Sequence, residues 1–307
     1  MTTLVVGLGL LGGHVQARLR AAGEDVHHAS VPWGDHDAAL RALLAAARAT
    51  ARVDPDWRLA WCAGAGVIAT PAADLEAEVL LFEAFAEAVE PPPASLFLAS
   101  SAGGLYAGSP GPAPYDEGSA VAALAPYGEA KMAMEALAHR LTGRGTRALV
   151  GRISNLYGPG QNLSKPQGLI SQLCLAHETR GSLNLHVSLD TLRDYLFVDD
   201  AAAMVAAGLD LVDAEPPGTT VTKVLASGRV VSVAGIVHEA TRVLRRHPRV
   251  STRQALGRQV RDLRLRSVVW PQVDTLARTP LAAGMRATAD DVAARTHLAR
   301  PGRDRAG

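Results

Sequence analysis

Leu4-Val5-Val6-Gly7-Leu8-Gly9-Leu10-Leu11-Gly12-Gly13 is the stretch whose reading decides the fold. Three consecutive apolar residues predict a buried strand, and the glycines that follow predict a tight turn. An amphipathic run from His14 to Ala22 then predicts a helix, closed by Gly23, before a second short strand over Asp25–Ser30. Strand, glycine turn, helix and strand form the βαβ opening of a parallel sheet. In a turn of this kind one glycine makes the bend, one lets the backbone approach a pyrophosphate, and one lets helix and strand pack closely. The helix N-terminus supplies N–H donors and a positive dipole end. G-x-G-x-x-G alone is a weak pattern; its place between a strand and a helix is what points to a dinucleotide.

Working outward, a long Ala/Leu-rich helix is expected over Asp37–Ala51 and a third strand over Arg58–Cys62, ending in Ala63-Gly64-Ala65-Gly66. A helix over Ala73–Val89 is stopped by Pro91-Pro92-Pro93, and Ser95–Ala99 reads as a short buried strand. A Pro/Gly-rich loop over Ser109–Ser119 leads to a helix over Pro126–Leu141 and a strand over Arg147–Ile153. From Gly158 to Gly168 the sequence turns to loop chemistry and the regular alternation stops. Short strands such as Thr220–Leu225 and helices such as Val233–Arg245 follow. The fold class is therefore α/β, a Rossmann-like doubly wound parallel sheet with a smaller C-terminal substrate-binding lobe. Residues 1–157 are expected to form the dinucleotide-binding domain, with a returning segment near 193–212. Residues 158–307 form most of the lobe, ending in a disordered tail over about 300–307.

Composition removes several classes of function. The chain has 307 residues, 48% hydrophobic and 20% charged, with a formal net charge of +1. That balance carries no footprint for nucleic acid, and no apolar run is long enough to span a membrane. Cys62 and Cys174 are the two cysteines, far apart and outside any C-x-x-C spacing, which fits a reducing cytoplasm. The N-terminal residues lack the basic n-region of a signal peptide. Ten histidines invite a metal, but there is no H-E-x-x-H, and His27-His28 face opposite sides of a strand. No metal is expected.

The most specific local signal is Tyr127-Gly128-Glu129-Ala130-Lys131. Lysine occurs only at Lys131, Lys165 and Lys223, and tyrosine five times, so about 0.05 such pairs are expected by chance. A spacing of four places both side chains on one helix face. An ammonium beside a phenol favours the phenolate, so Lys131 is expected to lower the Tyr127 pKa and make it a working acid/base.

With a serine at a strand end upstream, these features resemble the short-chain dehydrogenase/reductases. Three further segments resemble the extended branch, the NAD-dependent sugar-nucleotide epimerase/dehydratase family. They are Ser100-Ser101-Ala102-Gly103-Gly104-Leu105-Tyr106, then Arg152-Ile153-Ser154-Asn155-Leu156-Tyr157-Gly158-Pro159-Gly160-Gln161, then Arg193-Asp194-Tyr195-Leu196-Phe197-Val198-Asp199-Asp200. The resemblance implies that Tyr127 exchanges a proton with a sugar hydroxyl while hydride passes to or from the nicotinamide. Lys131 holds the nicotinamide ribose, and Ser101 or Ser100 hydrogen-bonds the same sugar oxygen. It places the cofactor against Gly7, Gly9, Leu10, Leu11 and Gly12, against Ala63 and Gly64, and near Ser30. It places the substrate's nucleotide diphosphate against Asn155 and Arg193, with Arg264 or Arg266 as a second phosphate ligand; a guanidinium fork suits that role.

The cofactor implied is NAD, with NADP left open. Ser30 stands where an acidic residue would bind the ribose diol, and Asp35 or Asp37 is an alternative from the next loop. The first turn is one residue shorter than the usual G-x-x-G-x-x-G, and Val31-Pro32-Trp33-Gly34-Asp35 runs straight into helix, an abbreviated connection. Ala102-Gly103-Gly104 carries no carboxylate, whereas the 4,6-dehydratases have an Asp-Glu pair there and the decarboxylases a glutamate. Neither cysteine matches the acid/base motif of the 3,5-epimerase/reductases. Hydride chemistry at C4 of a nucleotide-sugar remains, as a 4-epimerase or a 4-ketoreductase. A reductase of a non-sugar carbonyl and a non-catalytic dinucleotide sensor are the other classes. A homodimer is expected, with Ala130, Met134, Leu137 and Leu141 as a candidate apolar stripe.

Overall fold

Apolar runs separated by amphipathic helices can bury both faces of a sheet, and the chain does so. The structure is a computed structural model that describes residues 1–64, 66, 70–165, 167–253 and 260–298. Ala65 and the expected tail over 300–307 lie outside the described residues. The first half runs β1 (Thr2–Val6), α1 (Leu10–Ala21), β2 (Asp25–His28), α2 (His36–Val53), β3 (Arg58–Trp61), α3 (Ala72–Ala88), β4 (Ser95–Ser101), α4 (Ala102–Tyr106), α5 (Pro126–Thr142) and β5 (Arg147–Ile153). There follow β6 (Asn155–Tyr157), α6 (Leu169–Glu178), β7 (Leu183–Leu185), β8 (Leu192–Phe197), α7 (Val198–Asp213), β9 (Thr220–Leu225), β10 (Val230–Ser232), α8 (Val233–Leu244), β11 (Val250–Thr252), β12 (Asp262–Leu263), α9 (Pro271–Asp274) and α10 (Leu281–Leu298).

Six strands form one parallel sheet in the order β2-β1-β3-β4-β5-β9. On one face α2, α3 and α5 cover Leu4, Leu59, Trp61, Leu96 and Leu98, with Phe82 and Phe85 tilted against the Trp61 ring. On the other, α1 and α7 pack Val15, Leu19, Met204, Val205 and Leu209 against Val5, Phe97 and Leu149. Gly208 lets α7 sit flush: a Cβ there would stand 2.5 Å from Leu149 Cδ2.

The abbreviated connection after β2 has a structural consequence. The dinucleotide-binding order 3-2-1-4-5-6 has a strand outside the second one. Here the loop after β2 passes directly to α2, whose N-cap Asp35 accepts the Ala38 N–H at 3.0 Å, and β2 is left as the edge. The crevice between the C-terminal ends of β1 and β3, where the connections diverge, is kept; ligands bind at such switch points.

The second half is built around β8, flanked by antiparallel β10 and parallel β12, with β6 pairing beside it. Helices α6, α8 and α10 bury Ile170, Leu173, Ile236, Ala240, Met285 and Val292 together. The returning segment reaches past residue 212, because β9 pairs with β5 along its whole length. Among the described residues no helix is long and apolar enough to cross a membrane.

Candidate active site

The site is assembled at the C-terminal ends of β1, β3 and β4. Gly7 has φ +87°, and a Cβ on it would stand 2.5 Å from Ala63 Cα, so the first turn lies directly on the end of β3. Gly12 is equally constrained, since its Cβ would meet Gly7 O at 2.0 Å and Cys62 Cβ at 3.0 Å. Gly9 differs: a Cβ there would have nothing within 4 Å. Gly9 caps α1 without a side-chain hydrogen bond, and the first turn of α1, with Leu10 and Leu11, holds no acidic residue. The turn therefore offers backbone N–H groups, a positive dipole end and open room at one glycine, a cradle that fits a dinucleotide pyrophosphate. On the adenosine side Ser30 is exposed beyond β2. Asp35 is engaged as the cap of α2, and Asp37 is exposed beside His36.

Ser101 and Ser100 end β4, and strand alternation separates them. Ser101 caps α4, its Oγ accepting the Gly104 N–H at 3.1 Å. Its side chain also hydrogen-bonds Tyr127, an interaction that favours the phenolate. Ser100 is buried and donates to Glu135 Oε1 at 2.5 Å. Glu135 also takes Arg152 Nε at 3.1 Å and Nη2 at 2.8 Å, and Arg152 Nη1 donates to Tyr106 Oη at 2.9 Å. Ser100 thus belongs to a network that locks α5 onto β4 and β5, while Ser101 faces Tyr127.

Two glycines bring Tyr127 to Ser101. Pro126 opens α5, and a Cβ on the neighbouring Gly128 would stand 2.3 Å from Gly104 O. A Cβ on Gly104 would meet the Tyr127 ring at 3.2 Å. Lys131, one turn on, is buried with its Nζ 3.3 Å from Ala99 O and 6.0 Å from the Tyr127 ring centroid. A Cβ at Gly64 would lie 2.8 Å from that nitrogen. The glycine turn, Ala63, Gly64, Lys131, Tyr127 and Ser101 therefore form one continuous corner.

One expectation is corrected here. Tyr127 is raised above the ordinary phenol value, not lowered, because burial outweighs the Ser101 hydrogen bond and the Glu78 carboxylate adds to it. Lys131 is itself pulled down by burial, with Glu78, Cys62 and Glu135 opposing. Its ammonium is turned to a backbone carbonyl and is not in contact with the phenol oxygen. Glu78, on α3, is the residue that sequence reasoning missed. Helical spacing marks α3 as a packing helix, and no local motif shows that it crosses the site.

The remaining predicted residues lie around β8. Asn155 pairs across from Tyr195 and donates Nδ2 to Asp194 O at 2.8 Å. Arg193 gives Nη1 to Leu192 O at 2.8 Å and Nη2 to Val260 O at 2.8 Å, and burial pulls its pKa down. Its neighbour Asp194 is fully buried and raised by burial, and accepts from Ser227 N, Ser227 Oγ and Arg229 N. Arg264 pairs with Asp262, and Arg266, largely exposed, reaches Asp116 at 3.4 Å. Asn155 and Arg193 are thus brought together on paired strands, whereas Arg266 rests on the loop that carries Asp116. In the proposed apolar stripe, Met134 and Leu141 turn into the core under the sheet. Burial pushes the thiols of Cys62 and Cys174 up to about 12, and neither is in a disulfide. Among the described residues no group of three His, Cys, Asp or Glu side chains is placed to hold a metal ion.

Comparison with solved structures places this geometry among known folds. A UDP-glucose 4-epimerase with UDP-glucose from Thermotoga maritima superposes with a TM-score of 0.81 at 18% identity, over 97% of this chain and 100% of that one. MoeE5, in complex with UDP-glucuronic acid and NAD, gives 0.77 at 21% identity over 96% and 100%. TunA, an NAD-dependent NDP-hexosamine 5,6-dehydratase involved in tunicamycin biosynthesis, gives 0.71 at 18% over 94% and 96%. No curated protein matches the sequence significantly. The model of the NAD dependent epimerase/dehydratase family matches residues 3–222, which take in the glycine turn, the Tyr127–Lys131 helix and the paired strands β6 and β8. By that match the chain belongs to the NAD-dependent epimerase/dehydratase family, with NAD as its cofactor.

Proposed function

We propose that the protein is a nucleotide-sugar 4-epimerase in which Tyr127, Lys131 and Ser101 carry the proton chemistry. The observation that carries this reading is the convergence of Ser101 and Tyr127 beside Lys131, at the end of the glycine turn. Gly7, Gly9 and Gly12 would hold NAD along that turn, where the cofactor would supply reversible hydride acceptance. As hydride leaves C4 of the sugar, Tyr127 Oη takes the proton of the C4 hydroxyl, and the C–O bond becomes a carbonyl. Ser101 Oγ hydrogen-bonds the same oxygen and keeps it on the line to Tyr127. The 4-keto sugar then presents its other face, and Tyr127 gives the proton back as hydride returns. Lys131 holds positive charge at the end of the glycine turn, where it would bind the nicotinamide ribose, and the Ser101 hydrogen bond is what favours the phenolate.

Two features support reaction at C4 without elimination. The segment after Ser101 is Ala102-Gly103-Gly104, and Gly104 is packed on the Tyr127 ring, which leaves no carboxylate there. Asn155 and Arg193 stand on adjoining strands as contacts for the nucleotide diphosphate, with Arg266 as an outer phosphate ligand. The same reading makes the enzyme a homodimer in a reducing cytoplasm, the second point resting on its two unpaired cysteines.

Denaturing freshly purified protein and quantifying the released nucleotide tests the reaction class. Near-stoichiometric NAD is the expected result, because an epimerase keeps its cofactor through both half-reactions. A protein that emerges empty and then binds NADH or NADPH is the 4-ketoreductase instead. One that binds no dinucleotide overturns the enzyme reading.

A further inference from the structure

A buried ammonium needs a compensating charge, and Lys131 has few partners of its own. Its Nζ donates to Ala99 O at 3.3 Å and approaches Met134 Sδ at 4.0 Å, long contacts for a desolvated cation. Three acidic groups act on it: Glu78, Cys62 and Glu135. Glu135 is already matched by the Arg152 guanidinium fork and the Ser100 hydroxyl. Cys62 is a neutral thiol at physiological pH, since burial pushes it up to about 12. Of the three, Glu78 acts most strongly on the ammonium.

Its position fits. The point where a Cβ of Gly64 would stand is 2.8 Å from Lys131 Nζ and 3.6 Å from Glu78 Oε2. The corresponding point at Gly66 is 3.5 Å from Tyr127 Cδ2 and 3.6 Å from the same Oε2. One carboxylate oxygen therefore lies close to both members of the pair; Gly64 leaves room between it and the ammonium, while at Gly66 a Cβ would first meet Leu75 Cδ2 at 2.4 Å.

We propose that Glu78 is a positioning residue of this site, its carboxylate on α3 setting the proton content of the Tyr127–Lys131 pair. It keeps Lys131 an ammonium and keeps Tyr127 a phenol until an incoming positive charge offsets it. The proposal rests on Tyr127 and Lys131 being the acid/base pair, and its test does not pass through turnover. The full-length protein is labelled with [13Cζ]tyrosine and [13Cε]lysine and titrated by NMR without added cofactor. Tyr127→Phe and Lys131→Met assign the two signals, with Lys165 and Lys223 the only other lysines.

Glu78→Gln removes a negative charge that favours the protonated form of both groups, so both midpoints are expected to move to lower pH. Glu129→Gln, on the exposed side of α5, leaves them in place. If Glu78→Gln does not fold, Glu78→Asp carries the test: it draws the charge back by one methylene, and smaller shifts of the same sign are expected. Unchanged or upward midpoints overturn the proposal. A Tyr127→Phe enzyme with normal turnover overturns the acid/base reading instead, while the titrations still report whether Glu78 acts on the pair.

Discussion

At the scale of single residues, the two adjacent serines show how one register step separates chemistry from support. Ser101 faces Tyr127 and Ser100 faces Glu135, so their alanine variants should fail differently. Ser101→Ala is expected to lower turnover by about 10-fold or more with little change in melting temperature, having lost a hydrogen bond to the reacting oxygen. Ser100→Ala loses a charge-assisted bond to Glu135 and should cost about 1.5–3 kcal/mol of stability, read by chemical denaturation. Tyr127→Phe should lose at least ~100-fold in turnover with cofactor affinity nearly intact, as measured by steady-state kinetics and dinucleotide titration. Near-normal turnover in that variant would remove Tyr127 from the mechanism. The raised Tyr127 also carries a pH consequence. With its midpoint above the phenol value in the cofactor-free protein, its phenolate signal should emerge only at alkaline pH, and at lower pH once the cationic nicotinamide is bound.

At the scale of elements, the glycine turn separates fold from binding. Gly12→Ala would place a Cβ 2.0 Å from Gly7 O, against backbone that cannot yield, and should lower the melting temperature by several degrees. Gly9→Ala meets nothing within 4 Å and keeps an ordinary φ of −75°. It should melt like the wild type while binding NAD at least ~10-fold more weakly, because the methyl enters the space the pyrophosphate needs. Equal loss of stability in both variants would mean that Gly9 serves packing as Gly12 does. The turn was legible because its three glycines lie within six residues and between two periodic segments. The Tyr127–Lys131 pair was legible because helical spacing is a local fact. Glu78 was not, since only the packing of α3 against α5 brings it to Lys131. The direction of the Tyr127 pKa was misread for a related reason: burial is a tertiary quantity, and so is the turning of the Lys131 ammonium to the Ala99 carbonyl. The edge position of β2 was foreshadowed by the short loop Val31–Asp35, although the strand order itself depends on which neighbour each strand finds.

At the scale of the whole molecule, sequence order and structural order part company. The second half supplies α7 and β9 to the large sheet, so the face formed by Val5, Phe97 and Leu149 is covered beside α1 by a helix that begins at Val198, in the second half. Lys223 on β9, fully buried, donates to Ser267 Oγ, Val269 O and Asp274 Oδ1 at 2.6–2.7 Å, and Glu117 accepts from Ser267 and Val268. This knot fastens the 267–274 segment to the sheet edge. Removing one member should be severe: Lys223→Ala leaves the Asp274 carboxylate without its cation and is expected to cost about 3–5 kcal/mol. The same topology predicts how the chain can be cut. A fragment of residues 1–157 keeps α1 but exposes Phe97 and Leu149 where α7 belongs, and leaves β5 as an unpaired parallel edge. Expressed alone it should aggregate or bind the dye ANS as a loosely packed state, and co-expression with residues 158–307 should restore a soluble, cofactor-binding complex. A soluble 1–157 fragment with a sharp thermal transition would show instead that the dinucleotide-binding half folds without its returning helix and strand.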